Sequence, residues 1–180
     1  PAAFAESTAD HTMGLLLDVT RRISETDRYV RTGEWKNGME PLRWESISLH
    51  GKTLGIIGYG RIAQPVDNRA QAFGMKVIHT RPRPPDDPNF RPLDHLLPES
   101  DFVVGLVPLT PETHHLINAT RLAQMKPGAY FINVARGKIM DEKAVVAALQ
   151  SGHLAGAAFD VFENEPIVEE ALFQMDNVVL

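Results

Sequence analysis

The sequence predicts an α/β fold, a doubly wound parallel sheet with helices on both faces. Three observations predict it: short, nearly continuous apolar runs recur along the chain, segments of helical periodicity lie between them, and a glycine-rich turn follows the first run. With 180 residues and 43% hydrophobic content, the chain can bury one good core, which makes it one domain.

In the stretch 9–35, "ADHTMGLLLDVTRRISETDRYVRTGEW", Met13, Leu16, Leu17, Val19 and Ile23 fall at helical spacing. One long amphipathic helix is expected, capped near Ser7 or Thr8. From Trp35 to His50 the pattern breaks into a connecting arm, on which Trp35 or Trp44 could anchor a second subunit or pack on its own domain. The apolar runs at 53–58, 75–80, 101–107, 129–134, 154–161 and 177–180 read as strands. Helical stretches are expected at 62–73, 92–97 and 140–152, with a proline-rich loop at 82–92.

Composition removes several function classes. The net charge is -5 and the basic residues are dispersed, which argues against a nucleic-acid partner. No run of about 18 apolar residues occurs, so no membrane span is expected. There is no cysteine, and the seven histidines show no metal-ligand spacing, so no metal is expected. His50, His95, His114, His115 and His153 read as solvated, and His11 as making a local structural contact. The chain begins with Pro1 and stops in the apolar run "NVVL", which reads as a piece of a longer protein. A cytoplasmic setting is expected, with any targeting peptide belonging to the missing N-terminus.

"GIIGYGRIA" sets Gly58, Gly60 and Ala63 in the spacing G-x-G-x-x-A, after a strand and at the start of a helix. Gly58 permits the tight turn, Gly60 admits a pyrophosphate close to the backbone, and Ala63 lets helix and strand pack closely. The helix N-terminus then offers free N–H groups and a positive dipole end to the phosphates. Together these features specify a Rossmann-type dinucleotide site. In such sites an acid about 20 residues further on binds the adenosine ribose 2'-hydroxyl and selects NAD. Here the strand ends in "HTRPRP", with Arg81 and Arg83 and no acid between Met75 and Pro85. Guanidiniums at that point pair with a 2'-phosphate, so NADP(H) is favoured over NAD(H); the other reading leaves both arginines solvated beside a tolerant site.

Several longer stretches then carry a resemblance. "ADHT", "TGEW", "LHGKTLGIIGYGRIA", "AFGMKVI", "VPLTPETHHLIN", "MKPGAYFINVARGKIMDEKAVVAAL", "GHLAGAAFDVFENEP" and "MDNVVL" together resemble the nucleotide-binding domain of the D-2-hydroxyacid dehydrogenases. The resemblance implies a longer two-domain enzyme in which 1–50 forms the long helix and arm, 51–180 the Rossmann core, and the substrate domain lies outside the chain. It implies hydride transfer between a nicotinamide cofactor and a small 2-oxo or D-2-hydroxy acid, in a homodimer joined through 1–50. Arginine and NADPH together point to a glyoxylate/hydroxypyruvate-type reductase. A different class also shares the fold, a redox-sensing dimeric corepressor module that binds NAD(H).

By the same resemblance Arg136 of "NVARG" is the catalytic arginine that clamps the 2-oxo acid. Glu165 of "ENEP" is the acid that supports a catalytic histidine, with Glu163 as the near alternative. That histidine is expected beyond Leu180. The cofactor would be lined by Gly58, Gly60, Arg61, Ile62, Leu106, Val107, Pro108, Val134, Ala135 and Asp160, with Arg81 and Arg83 at its 2' position. Leu106 stands where many members carry a polar side chain, so one side-chain contact to the cofactor is expected to be missing.

Overall fold

A computed structural model describes residues 2–36, 38, 45–82 and 86–180. Two helices come first, α1 (Ala2–Arg21) and α2 (Ile23–Arg31). The sheet then builds through β1 (Thr53–Ile57), α3 (Ala63–Ala72), β2 (Lys76–Thr80), α4 (Leu93–Glu99), β3 (Phe102–Gly105), α5 (Ala119–Gln124) and β4 (Ala129–Asn133). After β4 come a 3-10 turn at Gly137–Ile139, α6 (Glu142–Gln150), β5 (Leu154–Phe159), a second 3-10 turn at Glu170–Gln174, and β6 (Val178–Val179).

The six strands pair in parallel in the order β2-β1-β3-β4-β5-β6. The chain leaves β1 toward one edge and returns to build the other side from β3, so the topological switch lies between β1 and β3. Ligands bind such sheets outside the carboxyl ends of the strands at that switch.

Strand residues alternate between two cores. Leu54, Ile56, Val77, Phe102 and Val104 face α1 and α3, meeting Met13, Leu16, Ala63, Val66 and Ala70. Ile57, Ile78, Val103, Phe131 and Ala157 face α4, α5 and α6, meeting Leu96, Leu97, Leu122, Val145 and Leu149. Burial on both faces explains why the strands read as nearly continuous apolar runs.

The expected single helix is two helices. Arg22 adopts a left-handed conformation at φ 57, and the Asp18 carboxylate accepts the Ser24 N–H at 2.7 Å and the Ser24 hydroxyl at 2.5 Å. Asp18 thereby satisfies a donor at the head of α2, where a new helix otherwise leaves its first N–H groups unpaired. Ser7 and Thr8 are not caps: α1 is already helical there, and both hydroxyls donate back to the Phe4 carbonyl. Strand β3 is shorter than the apolar run, ending at Gly105, so Leu106 and Val107 lie beyond it; β5 likewise ends before Asp160. Helix α5 has no counterpart in the expected elements; its signal was Asn118, whose side chain accepts the Arg121 N–H at 3.2 Å. Trp44 lies outside the described residues.

Candidate cofactor and active site

The glycine turn sits at the switch point. Gly58 has φ +91, and its N–H donates to the Thr80 carbonyl at 2.9 Å, tying the turn to the end of β2. A Cβ there would stand 2.7 Å from Val107 Cγ1 and 2.9 Å from the Leu106 carbonyl, so only glycine fits. Leu106 in turn donates its N–H to the Ile57 carbonyl at 2.8 Å, which brings the 106–108 segment against the turn. Gly60 differs: a Cβ on it would meet nothing within 4 Å. Its outer face is open, as a backbone that receives a pyrophosphate must be. Ala63 is buried at the start of α3, Arg61 is exposed, and Ile62 caps the helix without a side-chain bond; in the first turn the Gln64 N–H donates to the Gly60 carbonyl at 3.4 Å and Pro65 has no N–H to offer.

At the end of β2, Arg81 is half-buried and its Nε is a buried donor with no partner among the described residues. An unpaired buried guanidinium nitrogen fits an anionic group that arrives with the cofactor. Arg83 lies outside the described residues. The run lacks an acid in linear order, yet Asp87 folds back to the strand end, its Oδ2 3.0 Å from His79 Nε2. The Asn89 N–H, then His79, holds the Asp87 carboxyl below its ordinary range. Tyr59, the middle residue of the glycine motif, stacks on His79 with ring centroids 3.9 Å apart and donates to Asp67 at 2.5 Å. Burial and that hydrogen bond push the Tyr59 phenol well above its ordinary value.

The second half of the site is built on the ends of β4 and β5. Asn133 is fully buried; its Nδ2 donates to the Arg136 carbonyl at 3.0 Å and its Oδ1 accepts the Ala135 N–H at 3.1 Å. The turn Val134–Ala135–Arg136 is thus shaped by a residue the sequence reading passed over. Arg136 itself is exposed and donates to the Ala135 carbonyl at 2.6 Å. Asp160 donates its N–H to the Asn133 carbonyl at 3.1 Å, and its carboxylate lies 3.1 Å from His11 Nε2. The contact of His11 is therefore with the far end of β5, not with its neighbour Asp10.

The loop after β5 distinguishes two candidate acids. Glu163 uses both oxygens: Oε1 meets His115 Nε2 at 2.7 Å and Oε2 accepts the Glu142 N–H at 3.1 Å. The buried Glu142 returns the bond, accepting the Glu163 N–H at 2.8 Å and the Glu169 N–H at 2.9 Å. Glu165 is exposed and spends one oxygen on the Phe162 N–H at 2.9 Å. His115 is thus bound rather than solvated, and so is His153, whose Nε2 donates to the Leu122 carbonyl at 2.9 Å. Both pairings join residues far apart in sequence. Among the described residues no cluster of three or more His, Asp or Glu is placed to hold a metal ion, and no helix is long and apolar enough to cross a membrane.

Residues 13–180 match the family described as D-isomer specific 2-hydroxyacid dehydrogenase, NAD binding domain. The chain belongs to this family. The matched part is the family's NAD(P)-binding domain. Among its relatives, glyoxylate reductases of Thermococcus onnurineus and Pyrococcus furiosus are 48% and 45% identical over the whole chain. The chain spans 57% and 56% of those two proteins. Among solved structures, a protein from Thermus thermophilus superposes with TM-score 0.94 at 45% identity, covering 99% of this chain and 58% of that one. An NADPH-dependent glyoxylate/hydroxypyruvate reductase from Sinorhizobium meliloti, solved with NADP and malonate, gives TM-score 0.91 at 37% identity, over 97% and 56% of the two chains.

Proposed function

We propose that this chain is the coenzyme domain of an NADP(H)-preferring reductase of glyoxylate and hydroxypyruvate, and that its substrate domain lies outside residues 1–180. The observation that carries the cofactor preference is Arg81: a partly buried guanidinium at the end of β2 whose Nε has no partner among the described residues. A 2'-phosphate would supply that partner through charge-assisted hydrogen bonds. The NADPH-dependent relative of the same fold supports this reading, and the glyoxylate reductases support the substrate class.

The bound nicotinamide would supply the hydride. Gly58, Gly60, Arg61 and Ile62 hold the pyrophosphate at the head of α3, while Leu106, Val107, Pro108, Val134, Ala135 and Asp160 line the cleft toward the nicotinamide. Arg136 pairs with the substrate carboxylate or carbonyl oxygen and polarises the carbonyl. Glu165, with an oxygen left over, raises the pKa of a histidine outside this chain so that it holds the proton given to the carbonyl oxygen. Glu163 is unsuited to that role because both its oxygens are engaged. The same reading makes the protein a cytoplasmic homodimer joined through residues 1–50, where exposed Phe4, Ile23, Val30 and Trp35 support an interface.

Steady-state kinetics of the complete protein with small 2-oxo acids test the reading. NADPH should be preferred over NADH by about tenfold or more in kcat/KM, equivalent to about 1.4 kcal/mol, and Arg81→Asp should move preference toward NADH. A preference for NADH in the parent protein would overturn the cofactor assignment. Partner binding with no turnover of any 2-oxo acid would overturn the enzyme.

A further inference from the structure

The end of β2 holds a carboxylate and a guanidinium that do not pair. Residues 89–91 lie against the end of β2: the His79 N–H donates to the Asn89 carbonyl at 3.0 Å, and the Arg91 N–H donates to the His79 carbonyl at 2.8 Å. The chain between these points carries both Arg81 and Asp87. Asp87 reaches the strand end at His79, two residues before Arg81, yet among the described residues the buried Arg81 Nε has no hydrogen-bond partner. The Asp87 carboxylate is occupied elsewhere, by the Asn89 N–H at 2.8 Å and by His79 at 3.0 Å.

His79 is well suited to keep it there. The imidazole is 1% exposed, stacked on Tyr59 and met edge-on by Phe90 at 6.4 Å. Tyr59 is anchored in turn through its hydroxyl to Asp67, which also accepts from Gln71 at 2.7 Å. The ring therefore has little freedom, and an ionised Asp87 requires its Nε2 to be the donor. Were Asp87 released, the nearby guanidinium would become its natural partner. That pairing would consume Arg81 and set a carboxylate where a phosphate must approach.

We propose that His79 is a specificity-determining positioning residue: it sequesters Asp87 from Arg81 and so keeps the guanidinium free for a 2'-phosphate monoester. This deepens, and rests on, the reading of Arg81 as the 2'-phosphate partner.

The test is calorimetric binding of adenosine 2',5'-bisphosphate and of 5'-AMP to the complete protein. In His79→Leu the affinity for the bisphosphate should fall about tenfold, the scale of a lost hydrogen bond to a charged group, while 5'-AMP binding stays within about twofold. His79→Gln, which keeps a donor toward Asp87, should retain bisphosphate affinity. The decisive variant is His79→Leu with Asp87→Asn, which removes the competing charge and should return bisphosphate binding to within about threefold of the parent. A double variant as weak as His79→Leu would show that His79 merely supports the fold, and would overturn the proposal. Should His79→Leu not fold, His79→Asn, too short to reach Asp87, makes the same comparison. Arg81→Ala separates the two readings. If it costs bisphosphate affinity while His79→Leu does not, only the sequestration fails; if it costs nothing, the reading of Arg81 fails and this proposal with it.

Discussion

Gly137 and Phe162 are in direct backbone contact: a Cβ on Gly137 would overlap the Phe162 carbonyl, with the Glu163 nitrogen just behind it at 2.6 Å. This contact presses the turn bearing Arg136 onto the loop bearing Glu165. Gly137→Ala should therefore act twice. Overpacking should destabilise the protein by about 1–3 kcal/mol, and the displaced loop should separate the two proposed catalytic side chains. Denaturant unfolding measures the first effect. The second should appear as a loss of kcat with NADPH affinity retained, and a variant with parental stability and turnover would show the two loops to be independent.

Glu163 and Glu165 make opposite predictions from nearly the same sequence. Glu163→Gln keeps the Glu142 N–H only by turning its amide NH2 on His115 Nε2, which must then switch to the acceptor tautomer, so it should cost about 1–3 kcal/mol of stability. Glu165→Gln, on an exposed side chain, should stay within about 0.5 kcal/mol of the parent. Its effect should be on the pH profile. A histidine whose pKa is raised by Glu165 donates a proton below that pKa and fails above it. Removing the anion lowers the pKa, so reduction should fall off at lower pH than in the parent. A profile moved by Glu163→Gln alone would exchange the two assignments.

Asp101 links three segments at the amino ends of the strands. Its carboxylate accepts the Thr53 N–H at 2.8 Å and meets Lys126 Nζ at 3.1 Å. Burial opposes its ionisation, but the Thr53 N–H and the Lys126 ammonium outweigh burial and hold the carboxyl below its ordinary range. A depressed folded-state pKa contributes stability that is fully present above the unfolded-state value and is lost as pH falls through the folded one. Asp101→Asn should thus be about 1–2 kcal/mol less stable at neutral pH, with the gap closing in acid. Denaturant melts across that range check it, and a gap independent of pH would show that charge is not the cause.

The sheet and its glycine turn were legible because both are written in local order. Apolar runs mark strands buried on two faces, and Gly58, Gly60 and Ala63 lie within one turn of chain. What escaped the sequence reading depends on residues that meet only after folding. Asp18 ends one helix and starts another by reaching six residues ahead to Ser24. His115 and Glu163, 48 residues apart, form a pair that periodicity does not encode. Asp87 is the clearest instance, since linear order places it outside "HTRPRP" while the fold sets it beside His79. Strand ends were overextended for a related reason: the Val107 side chain lies against the glycine turn and Leu106 packs on the core beneath α1 and α3, so both are apolar without continuing β3.

Asn133 offers the sharpest test of how the Arg136 turn is made. It both donates to the Arg136 carbonyl and accepts from the Ala135 N–H, and its side chain is sealed from water. An amide does both at once at any pH, whereas a carboxyl does so only when protonated. Asn133→Ala leaves the Ala135 N–H unpaired and removes one of two donors from the Arg136 carbonyl, which keeps the Ile139 N–H at 3.2 Å; it should cost about 1–3 kcal/mol, with KM for the 2-oxo acid rising more than KM for the cofactor. Asn133→Asp keeps the acceptor for Ala135 but sets a carboxylate against a carbonyl oxygen in a buried site. Burial raises the pKa of such a carboxyl above its unfolded value, so the variant should lose stability as pH rises past that value and regain it in acid, where the protonated oxygen can donate. At neutral pH Asn133→Asp should be the less stable of the two variants. If their order does not depend on pH, the hydrogen bond to the Arg136 carbonyl does not hold the turn.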